Sequence, residues 1–266
     1  MPARPPVRAI PAMRSRSLPA RAAIYLTATV AVLLLWSAAS VLLASPALPL
    51  PTQAAGQLVE NLPELVPAFG VSLYRVVAAL AIASALAIPA GLALGRSPRA
   101  DALIGPVIHI LYPVPKVVLL PVLLVFLGLG DAAKIALMAI TVFFQVLVTV
   151  RDAAATVPST SLEAARSVGA GRWVTCLHVV VPEVLPALFT ALRTGMGTCV
   201  AILFLAEAIA GSTGLGYFIV DAWGMLDYPR MFAGIIAMAV LGVGLYEALT
   251  ALEWVLTPWR HRGRVA

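Results

Sequence analysis

The sequence contains few charged residues. Charged side chains make up 11% of its 266 residues, whereas hydrophobic residues make up 61% and the mean hydropathy is +0.98. A soluble domain carries about 25% charged residues, because its surface must face water. The 18 basic and 12 acidic residues are therefore too few to cover a soluble globule of this length. The composition predicts an integral membrane protein.

Cysteine and histidine are also scarce. Two cysteines, Cys176 and Cys199, and three widely separated histidines exclude a disulfide scaffold and give no metal-type spacing. The pattern G-x-x-x-x-G-K-[ST] is absent, so the chain lacks the loop with which P-loop proteins cradle ATP phosphates. No nucleophile constellation stands out. We therefore expect no metal, no cofactor and no catalytic site in this chain, and the net charge of +6 indicates topology rather than a nucleic-acid partner.

Long apolar segments account for most of the chain. A transmembrane helix needs about 20 apolar residues, and the candidates are about 22–44, 72–94, 103–127, 135–150, 186–210 and 231–256. The first is too long for the apolar region of a cleaved signal, so we expect an uncleaved signal anchor. Prolines in 45–68 exclude a spanning helix there, and four prolines in 103–127 predict a broken or kinked span. The fold class is an all-α membrane protein with six transmembrane helices.

The basic residues indicate the orientation. Thirteen of the 18 fall on one side of the predicted topology, whereas the opposite loops hold only Lys134 and Arg230. The positive-inside rule places both termini and the segment 151–185 in the cytoplasm. The thirteen are Arg4, Arg8, Arg14, Arg16, Arg21, Arg96, Arg99, Arg151, Arg166, Arg172, Arg260, Arg262 and Arg264.

The segment 151–185 is the longest polar interruption. Ser159 is one of three N-cap candidates before the helix-forming run LEAARSV, which Gly169 and Gly171 end. A second amphipathic piece follows, and Pro182 and Pro186 mark the predicted return to the bilayer. Such a helix–glycine–helix element is either a docking surface for another protein or a surface connector.

The residues of this segment resemble a known signature. Glu163-Ala164-Ala165, Gly169, two valines at 179 and 181, and Pro182 are similar to the EAA motif, EAA-x3-G-x9-I-x-L-P, of the permease subunits of binding-protein-dependent ABC importers. Valine replaces isoleucine and leucine at the two aliphatic positions. The stretches 72–75, 112–134 and 206–222 and the region around Glu253 are similar to the nitrate/sulfonate/taurine permease subfamily. The resemblance covers about residues 70–258.

The resemblance implies a type I importer (MetI-like) fold with both termini cytoplasmic and a cytoplasmic coupling helix between spans four and five. It divides the chain into a basic cytoplasmic tail (1–21), a first transmembrane helix and outer loop (22–69), a permease core (70–258) with a coupling loop at about 151–185, and a second basic tail (259–266). The chain is then a non-catalytic, multi-pass subunit of the bacterial inner membrane.

The same resemblance implies the partner proteins and the transport function. Cytoplasmic ATPase subunits would bind ATP and Mg, a periplasmic or lipid-anchored binding protein would deliver the solute, and a second copy of the chain would complete the membrane pair within the lipid. The solute is expected to be a small anion such as nitrate, sulfonate or taurine, moved by alternating access. The alternative is a secondary transporter or channel that works without ATPase subunits.

Three groups of candidate site residues follow. The motif implies that Glu163 contacts the ATPase, although it could equally favour its helix N-terminus through the helix dipole. Gly169 is expected to provide the turn that ends the coupling helix. The predicted ATPase-coupling set is Glu163, Ala164, Ala165, Arg166, Gly169, Ala170, Arg172 and Pro182.

The second group is a translocation pathway or gate formed by Glu207, Arg75 and Lys116. Glu207 lies in an apolar span and must face protein or water, as a pathway residue or as an interhelical hydrogen-bond partner. Arg75 either snorkels or pairs near the end of span two, or lines the pathway. Lys116 is a candidate partner for an anionic substrate or for Glu207, or it stabilises the helix break.

The third group is a binding-protein dock or outer gate. It consists of Gly214, Gly216, Tyr217 and Asp221. An interfacial turn with aromatic anchors is the alternative interpretation.

Overall fold

The computed structural model describes residues 18–259, and over this range the chain is helical without a β-strand. The predicted tails fall mainly at 1–17 and 260–266, outside the described residues. The helices are α1 (Leu18–Leu43), α2 (Pro51–Glu60), α3 (Leu62–Arg96), α4 (Pro98–Leu111), α5 (Leu120–Leu127), α6 (Asp131–Ala155), α7 (Ser159–Ser167), α8 (Arg172–Thr175), α9 (Val181–Ala210), α10 (Leu215–Gly224) and α11 (Tyr228–Leu256), with a 3-10 turn at Lys116–Leu119 and a π turn at Cys176–Val180.

The described residues contain five helices that are long and apolar enough to span a membrane. A sixth span results if the pair Pro98–Leu111 and Lys116–Leu127 is counted as one, and this pair is bent by 82°. The helix break that the prolines predicted is therefore confirmed. The residues between its halves include Pro113 and Pro115, which lack the amide hydrogen that a continuous helix needs.

The second span differs from the prediction. We expected it to begin near Ser72, after a segment that does not span the membrane, but α3 begins at Leu62 and runs for 35 residues. Pro63 occupies the first turn, where the missing amide hydrogen costs nothing, and Pro67 removes only one further bond near the start. At 1.5 Å per residue α3 is about 52 Å long, so it extends beyond a hydrocarbon core of about 30 Å.

The core is built around α6, which packs between α3 and α9. Glycines on α3 bring two of these backbones together: a Cβ at Gly91 would lie 2.9 Å from the Leu147 carbonyl oxygen, and one at Gly95 would lie 2.3 Å from that of Arg151. Small residues commonly permit such close approach in membrane bundles. In contrast, most described side chains of α1 are exposed, so α1 presents an apolar surface at the edge of the bundle.

The polar segment is shorter than the predicted 151–185 loop. α6 continues to Ala155, and a helical run of 39 residues starts at Arg172 and ends at Ala210. Pro182 and Pro186 therefore lie inside this run rather than marking its start. The π turn immediately precedes Pro182, and such turns accommodate an interrupted hydrogen-bond ladder. Residues 156–171 connect α6 to this run at the opposite end of α6 from Asp131.

Candidate functional site

A buried charge cluster joins three spans at the Asp131 end of the bundle. Glu207 on α9 is 0% exposed. Its carboxylate accepts a hydrogen bond from Arg75 Nη1 at 2.6 Å and from the Gly216 backbone nitrogen at 2.8 Å. The Ser72 hydroxyl lies 2.8 and 2.9 Å from the two carboxylate oxygens and accepts from the Leu215 nitrogen at 2.9 Å. Glu207 is thus fully satisfied by protein groups.

Arg75 is the centre of this cluster and is only 2% exposed. Besides Glu207, it donates to the Thr213 carbonyl and hydroxyl oxygens, each at 2.9 Å. Its Nε and Nη2 donate to Asp131 Oδ1 at 2.8 and 2.6 Å. All three guanidinium nitrogens are therefore engaged. We call Ser72, Arg75, Asp131, Glu207 and Thr213 the Glu207 cluster. Arg75 does not snorkel; it pairs with two carboxylates.

Two of the predicted dock residues are packed against Glu207. Gly214 has φ +104°, and a Cβ there would lie 2.3 Å from Glu207 Oε1. A Cβ at Gly216 would lie 2.7 Å from Glu207 Cβ. Only glycine fits at these positions, because the loop before α10 and the first turn of α10 fold directly over the Glu207 side chain. Both glycines therefore belong to the structure around the Glu207 cluster.

The other two predicted dock residues line a neighbouring cavity of about 370 Å³. Tyr217 is 40% exposed. Asp221 Oδ2 lies 3.3 Å from Arg230 Nη1, and Arg230 Nη2 also donates to Glu64 Oε2 at 2.8 Å. This Arg230 pairing ties α11 to α10 and to the start of α3, and the sequence interpretation did not identify it.

Lys116 lies at a separate site, the bend between α4 and α5. It donates to the Leu111 carbonyl oxygen at 2.9 Å and to that of Tyr112, so it does not pair with Glu207 as one sequence interpretation expected. Its ammonium lies 4.9 Å from the Phe144 ring centroid. Within residues 18–259, no carboxylate forms an ion pair with Lys116. A cavity of about 310 Å³ opens beside it, and we call it the bend cavity.

The predicted coupling residues lie at the opposite end of the bundle. α7 is anchored by Leu162, which is 8% exposed, while Glu163, Ala164 and Arg166 are exposed and Ala165 is half-buried. Gly169 ends the helix with φ +79°, and the Ala170 nitrogen donates back to the Ala165 carbonyl at 3.0 Å.

The turn leads into an exposed apolar surface. Arg172 begins the next helical run and is exposed, whereas Pro182, one of the predicted set, lies within that run and is half-buried. Val168 is 82% exposed and Trp173 is 77% exposed. Val168 lies in the 156–171 segment and Trp173 in the first turn of the following helical run. Such large exposed apolar side chains form a surface suited to a protein partner.

Sequence reasoning missed a second buried ion pair. Arg193 Nη1 on α9 donates to Glu253 Oε2 on α11, with side chains that are 17% and 6% exposed. The available signal was an arginine inside the predicted fifth span, since a charge at membrane depth needs a partner. Asp131 offered a similar signal, because it is a charged residue next to a predicted span and directly follows the residues Gly-Leu-Gly at the start of α6.

Comparison with known proteins agrees with this architecture. Residues 83–253 match the model of the binding-protein-dependent transport system inner membrane component family. The chain is 35% identical to the taurine transport system permease protein TauC of Escherichia coli, over 71% of this chain and 68% of that protein. It is 28% identical to the putative aliphatic sulfonates transport permease protein SsuC of Bacillus subtilis, over 72% and 69% of the two chains.

The fold is also found in a solved structure. The inward-facing MetNI methionine ABC transporter contains a chain that aligns with a TM-score of 0.64 and 21% identity, covering 74% of this chain and 98% of that one. The family match spans well over half of the described residues, and the motif, the spans and the fold agree with it. The chain belongs to the binding-protein-dependent transport system inner membrane components, the permease subunits of ABC importers.

Proposed function

We propose that the chain moves a small solute with an anionic head group, an organic sulfonate such as taurine, into the cytoplasm by ATP-driven alternating access, with nitrate as the inorganic counterpart. The relatives named for taurine and aliphatic sulfonates support this substrate class. The observation that supports ATP coupling is the exposed segment 156–171, which contains the residues similar to the EAA motif. A secondary transporter would have no need of such a surface.

The proposed orientation puts the 156–171 segment in the cytoplasm of a bacterium, with both termini on that side of the inner membrane. Arg96 and Arg151 support this, because both lie at that end: Arg96 donates to the Ala154 carbonyl, and Arg151 pairs with Asp101. Arg166 and Arg172 add exposed positive charge there. The permease core would be 70–258, with the first helix and the two basic tails outside it.

The coupling step would act through α7. Glu163, Ala164, Ala165, Arg166, Gly169, Ala170 and Arg172 would form the contact with the ATPase, and Pro182 would position the following helix. The partner ATPases would bind ATP and Mg, so this chain is proposed as a non-catalytic subunit that holds no cofactor.

The helical run from Arg172 to Ala210 offers a mechanical link. At 1.5 Å per residue its 39 residues span about 58 Å, and the run carries Glu207 near its far end. A displacement of the 156–171 segment would therefore reach the Glu207 cluster and the loop that folds over it. Gly214, Gly216, Tyr217 and Asp221 would then form or support the surface that meets the binding protein.

The complete importer is proposed to contain two copies of this chain in the lipid, two ATPase subunits and a periplasmic or lipid-anchored binding protein, with no nucleic acid. The test is uptake of radiolabelled taurine into proteoliposomes that hold these components. We expect uptake with ATP and none with hydrolysis-dead ATPase subunits. Uptake that persists with the dead subunits would establish the secondary-transporter alternative.

Coupling is tested with two substitutions and two matched controls. Glu163→Ala and Gly169→Ala should lower copurification with the ATPase and its stimulation by the loaded binding protein. Glu183→Ala removes an exposed carboxylate near the same end of α9, and Gly171→Ala changes a glycine with ordinary φ −66° and open space. If all four variants behave like the wild type, the 156–171 segment is only a connector.

A further inference from the structure

We propose that the bend cavity binds the anionic head group of the solute during transit, with Lys116 as the charged contact and Gln145 and Thr198 as polar contacts. This rests on the proposed import of a small sulfonate. The site lies where the two halves of the third span meet α6 and α9. The sequence singled out Lys116 as a candidate partner for an anionic substrate, and the structure adds the cavity, Gln145 and Thr198.

Lys116 is paired differently from five other basic residues of the described helices. Arginines 75, 151, 193 and 230 each pair with a carboxylate. Lys134 donates only to carbonyls, but it is 2% exposed and lies one turn from Asp131. Lys116 differs from all of these, because it is partly exposed, faces a cavity and has no carboxylate partner. Two carbonyl oxygens use two of its three donors, which leaves one donor and most of the charge available.

The side-chain amide of Gln145 is only weakly held by the protein. Its Oε1 is buried and has no hydrogen-bond partner, and its Nε2 lies 3.5 Å from the Thr198 hydroxyl, at the limit of a hydrogen bond. Buried polar atoms are nearly always satisfied, so an unused amide at a cavity wall requires an explanation. A Cβ at Gly195 would lie 2.8 Å from this oxygen, so the glycine provides the room the amide occupies. A weakly held amide can turn its NH2 group toward an oxyanion.

The size and the lining of the bend cavity suit a small anionic head group. A volume of about 310 Å³ is at the lower end of the range for small-molecule sites. Tyr112 and Phe144 supply aromatic walls, and the Thr198 hydroxyl supplies a further donor. Sulfonate oxygens would accept from the ammonium, the hydroxyl and the amide together, whereas a cation would be repelled by Lys116. Irregular backbone at membrane depth is tolerated where it lines such a cavity.

The experiment uses the complete transporter in proteoliposomes, with radiolabelled taurine and ethanesulfonate as probes and uptake expressed per ATP hydrolysed. We expect Lys116→Met to lower this ratio about tenfold or more, because a charge-assisted contact is lost, and Lys116→Arg to retain most of it. Thr198→Val and Gln145→Leu should each lower the ratio several-fold. Thr194→Val, one turn away on the same helix with its hydroxyl bonded to the Thr190 carbonyl, is the matched control and should match the wild type.

Each outcome separates the cavity from the proposed function. If the wild type takes up neither sulfonate with ATP, the proposed substrate class is wrong. If the wild type takes them up and Lys116→Met keeps its ratio within about twofold, Lys116 only stabilises the helix break and the cavity proposal is overturned. Should Lys116→Met fail to assemble, Gln145→Leu and Thr198→Val decide by the same ratio.

Discussion

The Glu207 cluster and the bend cavity differ in how the protein pairs a charged side chain within the apolar spans. Arg75 uses all three guanidinium nitrogens on protein acceptors, and Glu207 is completely buried among donors. Lys116 is partly exposed, donates to two carbonyls and has no carboxylate partner among residues 18–259. A charge that the protein satisfies fixes the arrangement of helices, whereas a charge left beside a cavity remains available to a ligand.

The difference follows from the number of elements that meet at each site. The Glu207 cluster joins α3, α6, α9 and the loop before α10, and its ion pair between Arg75 and Glu207 links residues 132 positions apart in sequence. Removing Arg75 leaves the buried Glu207 carboxylate without a cationic partner, and removing Glu207 leaves Arg75 with Asp131 as its one carboxylate. The carbonyl bonds of Lys116, by comparison, reach back only four and five residues. The cluster therefore holds the tertiary structure, and Lys116 holds only a local turn.

The largest expected effect comes from breaking the buried pair. Arg75→Met leaves Glu207 buried and uncompensated, and Glu207→Gln does the same to part of Arg75. Loss of one partner of a buried pair costs about 3–5 kcal/mol. We expect Arg75→Met to lower the free energy of unfolding of the detergent-purified transporter by this amount, measured by thermal and denaturant melting. Glu207→Gln should lower it less, because Arg75 keeps its pair with Asp131.

The control and the double variant make this prediction specific. Glu183→Gln changes an exposed carboxylate of the same helix and should leave stability within about 0.5 kcal/mol of the wild type. The double variant Arg75→Met/Glu207→Gln should be more stable than the sum of the single losses predicts, because neither charge is then left alone. Additive losses would show that the two side chains do not depend on one another.

A smaller effect is expected at the glycine that covers the cluster. Gly214→Ala places a Cβ 2.3 Å from the Glu207 carboxylate at φ +104°, so we expect a loss of about 1–3 kcal/mol from overpacking and backbone strain. Gly197→Ala is the matched control, since nothing lies within 4 Å of its Cβ position. Melting temperatures of the two variants give the comparison. Equal stability would mean that the 211–216 loop is not held against Glu207.

The sequence predicted the apolar spans, the break in the third and the need of Glu207 for a protein or water partner. It could not identify that partner, because Arg75 and Lys116 are both basic residues within spans and only the packing of α3 against α9 decides between them. It also placed the start of α3 too late, since a proline in the first turns of a helix has the same sequence signal as one that prevents a helix.

The roles of Gln145 and Thr198 were beyond prediction for a different reason. A single amide or hydroxyl in an apolar segment matches no motif, and its importance appears only when α6 and α9 bring the two side chains to one cavity. The motif residues of the 156–171 segment were recognised readily because the chain places them close together in sequence. Sites assembled from distant spans lack that advantage.

The smallest expected stability effect is at Lys116. Lys116→Met removes two hydrogen bonds to carbonyls of the adjacent turn but leaves no carboxylate unpaired, so we expect the free energy of unfolding to fall by about 1 kcal/mol or less. The same melting measurements as for Arg75→Met provide the direct comparison. If Lys116→Met were as unstable as Arg75→Met, the ammonium would be part of the scaffold and the contrast between the two sites would disappear. A stable Lys116→Met transporter with impaired uptake would instead show that the charge of Arg75 stabilises the fold, whereas the charge of Lys116 contributes to transport of the solute.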